Sequence, residues 1–548
     1  MIPVADFCES VLRTFWRHHP VNASFLGVHE YDGLLSSYDP CALADRLSDL
    51  RRHLREAEAV RASGAALTAD ERLDLALLEG ELKTAIRTEE ELRIPFRSPG
   101  SYLEDATYGI YLLTMREFAP AEERARSAIS RLEAVPRLLD EARRNLSRPE
   151  EVPPLWAEMS SDLTATAGEF FGEAVGWARS RAPALLPDFR RASDTARRAV
   201  EEYERFLSEK VRPHARGDFA VGREMFDFLL RESHGLPFTA ADLEAFGRKE
   251  IEETLRKLCD TAAEMGSGGS WEERVEACRT EIPDPDFLLP VYRDEIARAR
   301  RFLLERDLFT FPTGETLQVV ETPVFERKTT PFAAYVPPAP FEPRQEGYFW
   351  VTPADRTSSP AERHRRMQGH ALPGIPVTSV HEGYPGHHLQ ISLSNRTASR
   401  VRRQIGTPVM VEGWALYCEE LMGEEGFYTD PRTRLLQLKD YLWRSCRVVI
   451  DVGMHTGTLS PGEAVRMLVE VPKMNPGAAA GEVRRYSKTP TQPLSYAVGK
   501  REILRLREDF RRAEGPAFSL RRFHDRFLQF GSIPISRIRD RILPPAQA

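Results

Sequence analysis

Along roughly the first 310 residues, apolar positions recur at intervals of three and four. Within residues 69–93, Leu75, Leu78, Leu82 and Ile86 fall on one face of a helix. Thr68 and Glu71 stand just ahead of that run, three residues apart, the pairing that satisfies free N–H groups at a helix start. The same arrangement returns at Thr239 and Asp242, followed by Leu243, Phe246, Ile251, Leu255 and Leu258. Residues 121–148, 187–211 and 291–306, rich in Ala, Leu, Glu and Arg, also read as helices. GSGGS at 266–270 reads as a loop between two of them. No repeat of fixed period is present.

The pattern changes after about residue 311. LQVVETPVF (317–325) and EGYFWVTP (346–353) have the β-branched and aromatic content of strands, and AAYVPPAPF (333–341) reads as extended. Helical spacing returns from about 378, with Val411–Met422 and Leu435–Val449 as the clearest runs. Ser460 and Glu463 form another capping box, with Pro461 at the first helical position. The expected fold is mainly α, a large helical protein with a small β-sheet. The change of character divides the chain into a helical region, 1–310, and a second region, 311–548.

At 548 residues the chain exceeds what one hydrophobic core supports. Its 76 basic and 83 acidic residues are interspersed, for a net charge of −7. No concentrated basic face results, so nucleic acid is not an expected partner. No run approaches 18 apolar residues, and no membrane span is expected. The N-terminus, MIPVADFCESVLRTFWRHHP, lacks the regions of a signal peptide. The six cysteines have no CxxC spacing and suit a reducing compartment, so a cytoplasmic location is expected.

The chemistry concentrates in SVHEGYPGHHLQ (379–390). Two histidine nitrogens on one zinc ion must lie about 3–4 Å apart, which a regular helix achieves at i, i+4. His381 is six residues from His387 and seven from His388. Those spacings correspond to about 9 and 10.5 Å along a straight helix, and six residues also turn the side chain about 120° off the face. Pro385 and Gly386 make a straight helix untenable in any case. A π-type widening that absorbs two residues would bring His387 onto the His381 face and leave His388 turned about 100° away. The alternative is an irregular turn whose histidines are satisfied by hydrogen bonds alone.

A second candidate lies at 407–421, TPVMVEGWALYCEEL, where Thr407 and Pro408 open a helix. Glu412 stands there among Val, Met, Trp and Ala, and shares a face with Leu416 and Glu419. It reads either as a solvated acid near a helix N-terminus or as a metal ligand.

HEGYPGHHLQ, VEGWALYCEEL, RVVIDVGMHTG and TQPLSYAVGK, in this order, resemble the motifs of the domain of unknown function 885 family, as PVNASFLGVHEYDG (20–33) resembles its N-terminal signature. That family is grouped with the glutamate-zincin metallopeptidases. The resemblance implies one zinc ion per chain, with His381 and His387 as ligands, Glu412 as the carboxylate ligand and Glu382 as general base. It implies a zincin-like cleft beside the sheet, walled or covered by the helical region, and a peptide substrate. The reaction also needs a donor to the developing oxyanion. Tyr496 and His455 are the candidates, each with a packing role as the alternative. Asp451, four residues before His455, is placed to orient it, and Glu419 to orient a ligating histidine or to remain a surface acid. His370, His364 and the His18–His19 pair read as structural or surface residues. A zinc amidase acting on another amide, and a helical binding protein with structural histidines, are the competing readings.

Overall fold

The capped runs read from the sequence fold as helices. Thr68 and Glu71 close their capping box at the head of Ala69–Arg87, as Thr239 and Asp242 do for Ala240–Glu264 and Ser460 and Glu463 for Pro461–Glu470. The three Ala- and Arg-rich segments form Ala121–Asn145, Leu186–Phe206 and Leu288–Glu305. A computed structural model describes residues 3–543 apart from 64–65, 267, 324–325, 328–329 and 331. Residue 267 of the GSGGS loop and residues 324–325 of the first strand-like run therefore lie outside the described residues.

The chain forms two units, Met1–Phe219 with Ala339–Arg344, and Ala220–Pro338 with Gln345–Ala548. The second unit thus begins well upstream of the change in sequence character near residue 310. The reason is packing. Leu258 and Ala262 of the helix Ala240–Glu264, with Trp271 and Val275, are buried against Leu435, Leu438 and Leu442 of Pro431–Thr456.

The first unit is helical and has a charged group at its heart. Arg131 is fully buried, and its guanidinium donates to the carbonyls of Gly109 (2.6 Å) and Leu34 (2.9 Å) and to Ser24 Oγ (2.6 Å). Ser24 in turn donates to Asp32, which also bonds His29 Nδ1 at 2.9 Å. The 20–33 segment is therefore a clasp that satisfies a buried arginine, as burial of a charge requires.

In the second unit, three strands form one sheet: β1 (Thr316–Glu321), β2 (Ala333–Val336) and β3 (Glu346–Val351), in the order β1–β3–β2. β1 runs parallel to β3, with Thr316 opposite Glu346, and β2 runs antiparallel, with Ala333 opposite Val351. The central strand buries Phe349, Trp350 and Val351, and Tyr292 of Leu288–Glu305 packs edge-on against Phe349 at 5.3 Å. Two further helices, Pro408–Glu424 and Ser495–Glu514, cross with their backbones in contact at Gly413 and Gly499. A Cβ on Gly499 would run into the Val409 carbonyl, and one on Gly413 into the Gly499 backbone. Only glycine permits this approach.

Gly499→Ala is expected to lower stability by about 1–3 kcal/mol, since the obstacle is backbone rather than a movable side chain. Gly481→Ala, in the helix Pro476–Lys488 with nothing within 4 Å of the added methyl, should be neutral or stabilising by up to about 1 kcal/mol. Thermal denaturation of the two variants checks the contrast. Equal behaviour would mean that the Gly413–Gly499 crossing can slide apart at no cost.

Candidate metal centre

The histidine segment does not form one widened helix. It forms two helices, Ile375–Glu382 and His387–Ser394, separated by a turn. Gly383 ends the first at φ −103°, ψ −103°, and the Tyr384–Pro385 peptide is cis. Gly386 then donates its N–H to the Val380 carbonyl at 3.0 Å. A Cβ on Gly386 would collide with the carbonyl oxygens of Val380 and His381, so the return of the chain onto the first helix depends on glycine. Pro385 removes the donor that a continuous helix would need, and its own carbonyl is used elsewhere. It accepts from Trp414 Nε1 at 2.9 Å and from Cys418 Sγ at 3.5 Å, both on the Glu412 helix, Pro408–Glu424. The break therefore does what the expected π-type widening was to do, by a different route. It sets the His381 and His387 rings perpendicular with centroids 4.8 Å apart.

Glu412 meets them from the neighbouring helix. Its Oε2 lies 3.3 Å from His387 Nε2 and 3.8 Å from His381 Nε2. One ligand atom from each of the three residues falls within 4.8 Å of the other two, and among the described residues this is the one such group of histidine, cysteine and acidic side chains. Glu412 is not a solvated helix-end acid: its side chain is 18 % exposed and Oε2 is buried without a hydrogen bond. Burial would raise its pKa, but the two imidazoles hold it well below the usual carboxylate range.

Glu419, two turns further along the same helix, is 2 % exposed and accepts from His381 Nδ1 at 2.7 Å. It is a buried partner of His381 and not a surface acid. It fixes the ring and leaves Nε2 facing Glu412. Burial pulls the His381 pKa down; the Glu412 and Glu419 carboxylates on its two nitrogens and the charge of Glu382 overcome that and push it up to about 10. Glu382 is half-buried at the last turn of the His381 helix.

His388 takes a different direction from His387. Its Nε2 bonds Glu315 at 2.7 Å and its Nδ1 the Tyr335 hydroxyl at 3.0 Å. With both nitrogens engaged, it has no lone pair to offer. Tyr384 also donates to Glu315, at 2.5 Å, and Arg300 lies 3.5 Å from it. Tyr335 of β2 stacks on His387 at 6.2 Å, so one edge of the sheet lies against the group.

Tyr496 stands at the start of the helix Ser495–Glu514 and stacks on His381 at 6.2 Å, interplanar angle 14°. Burial, then the charge of Glu412, raises its pKa, against the pull of Arg447, Arg485 and Arg444. His455 is not brought to this place. Its ring is fully buried, stacks on Phe226, and directs Nε2 to the Tyr486 carbonyl at 3.0 Å. Asp451 does not orient it either. The closest approach is 3.9 Å, and the Asp451 carboxylate accepts the N–H groups of Thr491 and Leu494, both at 3.1 Å. Asp451 thus braces the turn that leads into Tyr496. His370 is structural, held by the Tyr292 hydroxyl and the Thr352 carbonyl, each at 3.0 Å.

His234 was not legible in the sequence. It is buried, and bonds Thr407 Oγ1 through Nδ1 (2.7 Å) and Thr491 Oγ1 through Nε2 (2.8 Å). Thr407 caps the Glu412 helix and Thr491 precedes the Tyr496 helix, so one imidazole ties the two together. Burial lowers its pKa to about 4, which keeps it neutral, with one nitrogen donating and one accepting. No local pattern marks such a residue, because its partners are 173 and 257 positions away.

No curated protein matches the chain in sequence. Two solved structures share its fold over nearly the full length. One is a candidate lipoprotein of unknown function from Shewanella oneidensis, 23 % identical, with a TM-score of 0.81, covering 99 % of this chain and 100 % of that one. The other is a candidate lipoprotein from Colwellia psychrerythraea, 20 % identical, with a TM-score of 0.83, covering 98 % of each. Their descriptions point away from the expected cytoplasmic address, but they belong to those proteins, and likeness at this identity carries the fold alone. Among the described residues, no helix is long and apolar enough to cross a membrane. A family model described as "Bacterial protein of unknown function (DUF885)" matches residues 20–542, nearly the whole chain, and the chain belongs to that family.

Proposed function

We propose that the protein is a zinc-dependent metallopeptidase of the zincin kind, with His381, His387 and Glu412 holding the ion. The observation that carries this reading is the buried Glu412 oxygen, which makes no hydrogen bond and faces an imidazole nitrogen on each of two sides. Tetrahedral zinc requires ligand atoms about 3–4 Å apart, and two nitrogens with one carboxylate are a donor set it takes in catalytic sites. The glutamate–histidine separations of 3.3 and 3.8 Å fit that requirement, and the third, between the two histidine nitrogens, is within 4.8 Å. Three protein ligands leave one position open for chemistry.

Bound zinc would supply Lewis-acid activation of water and of the scissile carbonyl. The chain's own residues supply the rest. Glu419 holds the Nδ1 proton of His381, which presents Nε2 as the ligand atom. Glu382, next to His381, takes a proton from the attacking water on its carboxylate and returns it to the leaving amine nitrogen. The Tyr496 phenol, lying on the His381 ring, donates toward the substrate carbonyl oxygen as negative charge grows there. His455 takes no part, since its Nε2 is committed to a backbone carbonyl. Short or unfolded peptides are the substrates.

Protein purified without an affinity tag is expected to carry about one zinc ion per chain by elemental analysis. Glu412→Gln and His387→Ala should lose it. His388→Ala should keep most of it while losing thermal stability, because Glu315 and Tyr335 lose a buried partner. Metal retained in Glu412→Gln, or lost only in His388→Ala, would sink the ligand assignment. A zinc-loaded protein that cleaves another amide and no peptide would make the site an amidase.

Glu382→Gln keeps the shape and removes the proton acceptor. Zinc content should hold, while kcat falls about 10²–10⁴-fold on any peptide that the parent enzyme cleaves. A loss of only a few-fold would remove Glu382 from the role of base.

Tyr496→Phe removes a single hydroxyl. Turnover should fall about 10²–10³-fold, with zinc content, melting temperature and KM little changed. A variant that is less stable but turns over normally would make Tyr496 a packing residue.

A further inference from the structure

Beside Tyr496 lies a concentration of positive charge that the reaction above does not use. Arg444 and Arg447 come from one helix, Pro431–Thr456, and flank the indole of Trp443, their guanidinium carbons 4.3 and 4.1 Å from its ring centre. The same two groups lie over the Tyr496 ring at 5.9 and 4.6 Å. Arg485, paired with the same acid as Arg447, adds a third charge. The acids that answer them are few. Glu482 serves both Arg447 (3.1 Å) and Arg485 (2.8 Å). Asp440 lies 4.0 Å from Arg444 but is already paired with Lys439 at 3.0 Å.

Individual donors are left over. Arg447 is 3 % exposed; its Nε donates to the Tyr486 hydroxyl at 2.7 Å and its Nη2 to Glu482 at 3.1 Å, its guanidinium also interacts with the Tyr496 side chain, and its buried Nη1 makes no hydrogen bond of good geometry. Arg444 Nε is in the same condition. Buried guanidinium donors are ordinarily satisfied, because leaving one unmade costs the desolvation of a charged group. Here two remain on arginines that look onto the phenol assigned to the reacting carbonyl. Arginine is also the side chain best suited to hold a carboxylate through paired N–H donors.

We infer that Arg444 and Arg447 form an anion subsite for the C-terminal carboxylate of a peptide substrate, so that the enzyme acts close to free C-termini. This rests on the metallopeptidase reading and narrows its substrate class. Tyr496 stands between the metal group and the subsite, stacked on His381 at 6.2 Å and under Arg447 at 4.6 Å. A peptide whose scissile carbonyl meets Tyr496 and whose C-terminal carboxylate meets the arginines has its leaving-group end on that side. The carboxylate contact is the same in the ground state and the transition state, so the selectivity shows mainly in KM.

The test compares a pool of random tetra- and pentapeptides with free C-termini against the same pool amidated at the C-terminus. Cleavage is followed by mass spectrometry on the wild type, and binding by calorimetry on the zinc-loaded Glu382→Gln variant. Amidation should weaken binding and raise KM about ten- to hundred-fold, the range of a charge-assisted hydrogen bond. Arg444→Gln and Arg447→Gln should each reduce that ratio toward one with zinc content unchanged, and Arg447→Lys should restore part of it. If Arg447→Gln fails to fold, Arg444→Gln, at a half-buried position, carries the test alone. Equal binding of the two pools, or no binding of either, overturns the subsite. Selective binding of the free acids without cleavage by the wild type leaves the subsite standing and overturns the peptidase reading instead.

Discussion

An ionised carboxylate taken out of water has to be compensated by what surrounds it, and in this protein that carboxylate is Glu412. The penalty for such a group is several kcal/mol even after relaxation. Two imidazole nitrogens stand around its buried oxygen, and each ring has to be held in turn. Glu419 fixes His381 through Nδ1. The return of the chain at Gly386 fixes where His387 begins. The Pro385 carbonyl locks that return to the Glu412 helix through Trp414. Each of these contacts would be costly or pointless without the others. The second unit therefore has a reason to bring four helix segments and a sheet edge together at a polar point instead of an apolar one.

The two adjacent histidines show how finely the surroundings divide roles. His387 turns into the group and His388 turns toward Glu315, Tyr384 and Tyr335, where both of its nitrogens are bonded. The buried network around Glu315 supports the broken helix from behind. His234 does comparable work on the other side, holding the start of the Glu412 helix to the lead-in of the Tyr496 helix. Asp451 completes that lead-in by accepting two backbone N–H groups. These residues stand outside the His381–His387–Glu412 group. They set the distance between the His381–His387–Glu412 group and the Tyr496 phenol, and helices left free to slide would lose that distance first.

What the sequence made legible was local. Capping boxes at Thr68, Thr239 and Ser460 could be read because donor and acceptor lie three residues apart. That His387, and not His388, faces His381 and Glu412 also followed from spacing, once something shortened the path between 381 and 387. The means of shortening did not follow. A π-type widening and a full break satisfy the same spacing, and the difference lies in whether Gly386 can pack against the carbonyls of Val380 and His381, a contact visible only in three dimensions. His455 and Asp451 misled for a related reason. Four residues apart on one helix, they share a face, but their partners, Tyr486, Thr491 and Leu494, come from segments more than 30 positions away. His234, Glu315 and the arginines beside Tyr496 carry no motif at all, since their meaning arises only from what the fold sets against them.

The central claim is that His381, His387 and Glu412 share one zinc ion. Anomalous diffraction at the zinc edge, from crystals of protein purified without added metal or affinity tag, tests it most directly. The account predicts a single strong peak about 2.0–2.2 Å from one nitrogen each of His381 and His387 and from a Glu412 oxygen. A peak held by His388, or crystals with no zinc signal whose Glu412 is bonded only to histidine protons, would contradict it.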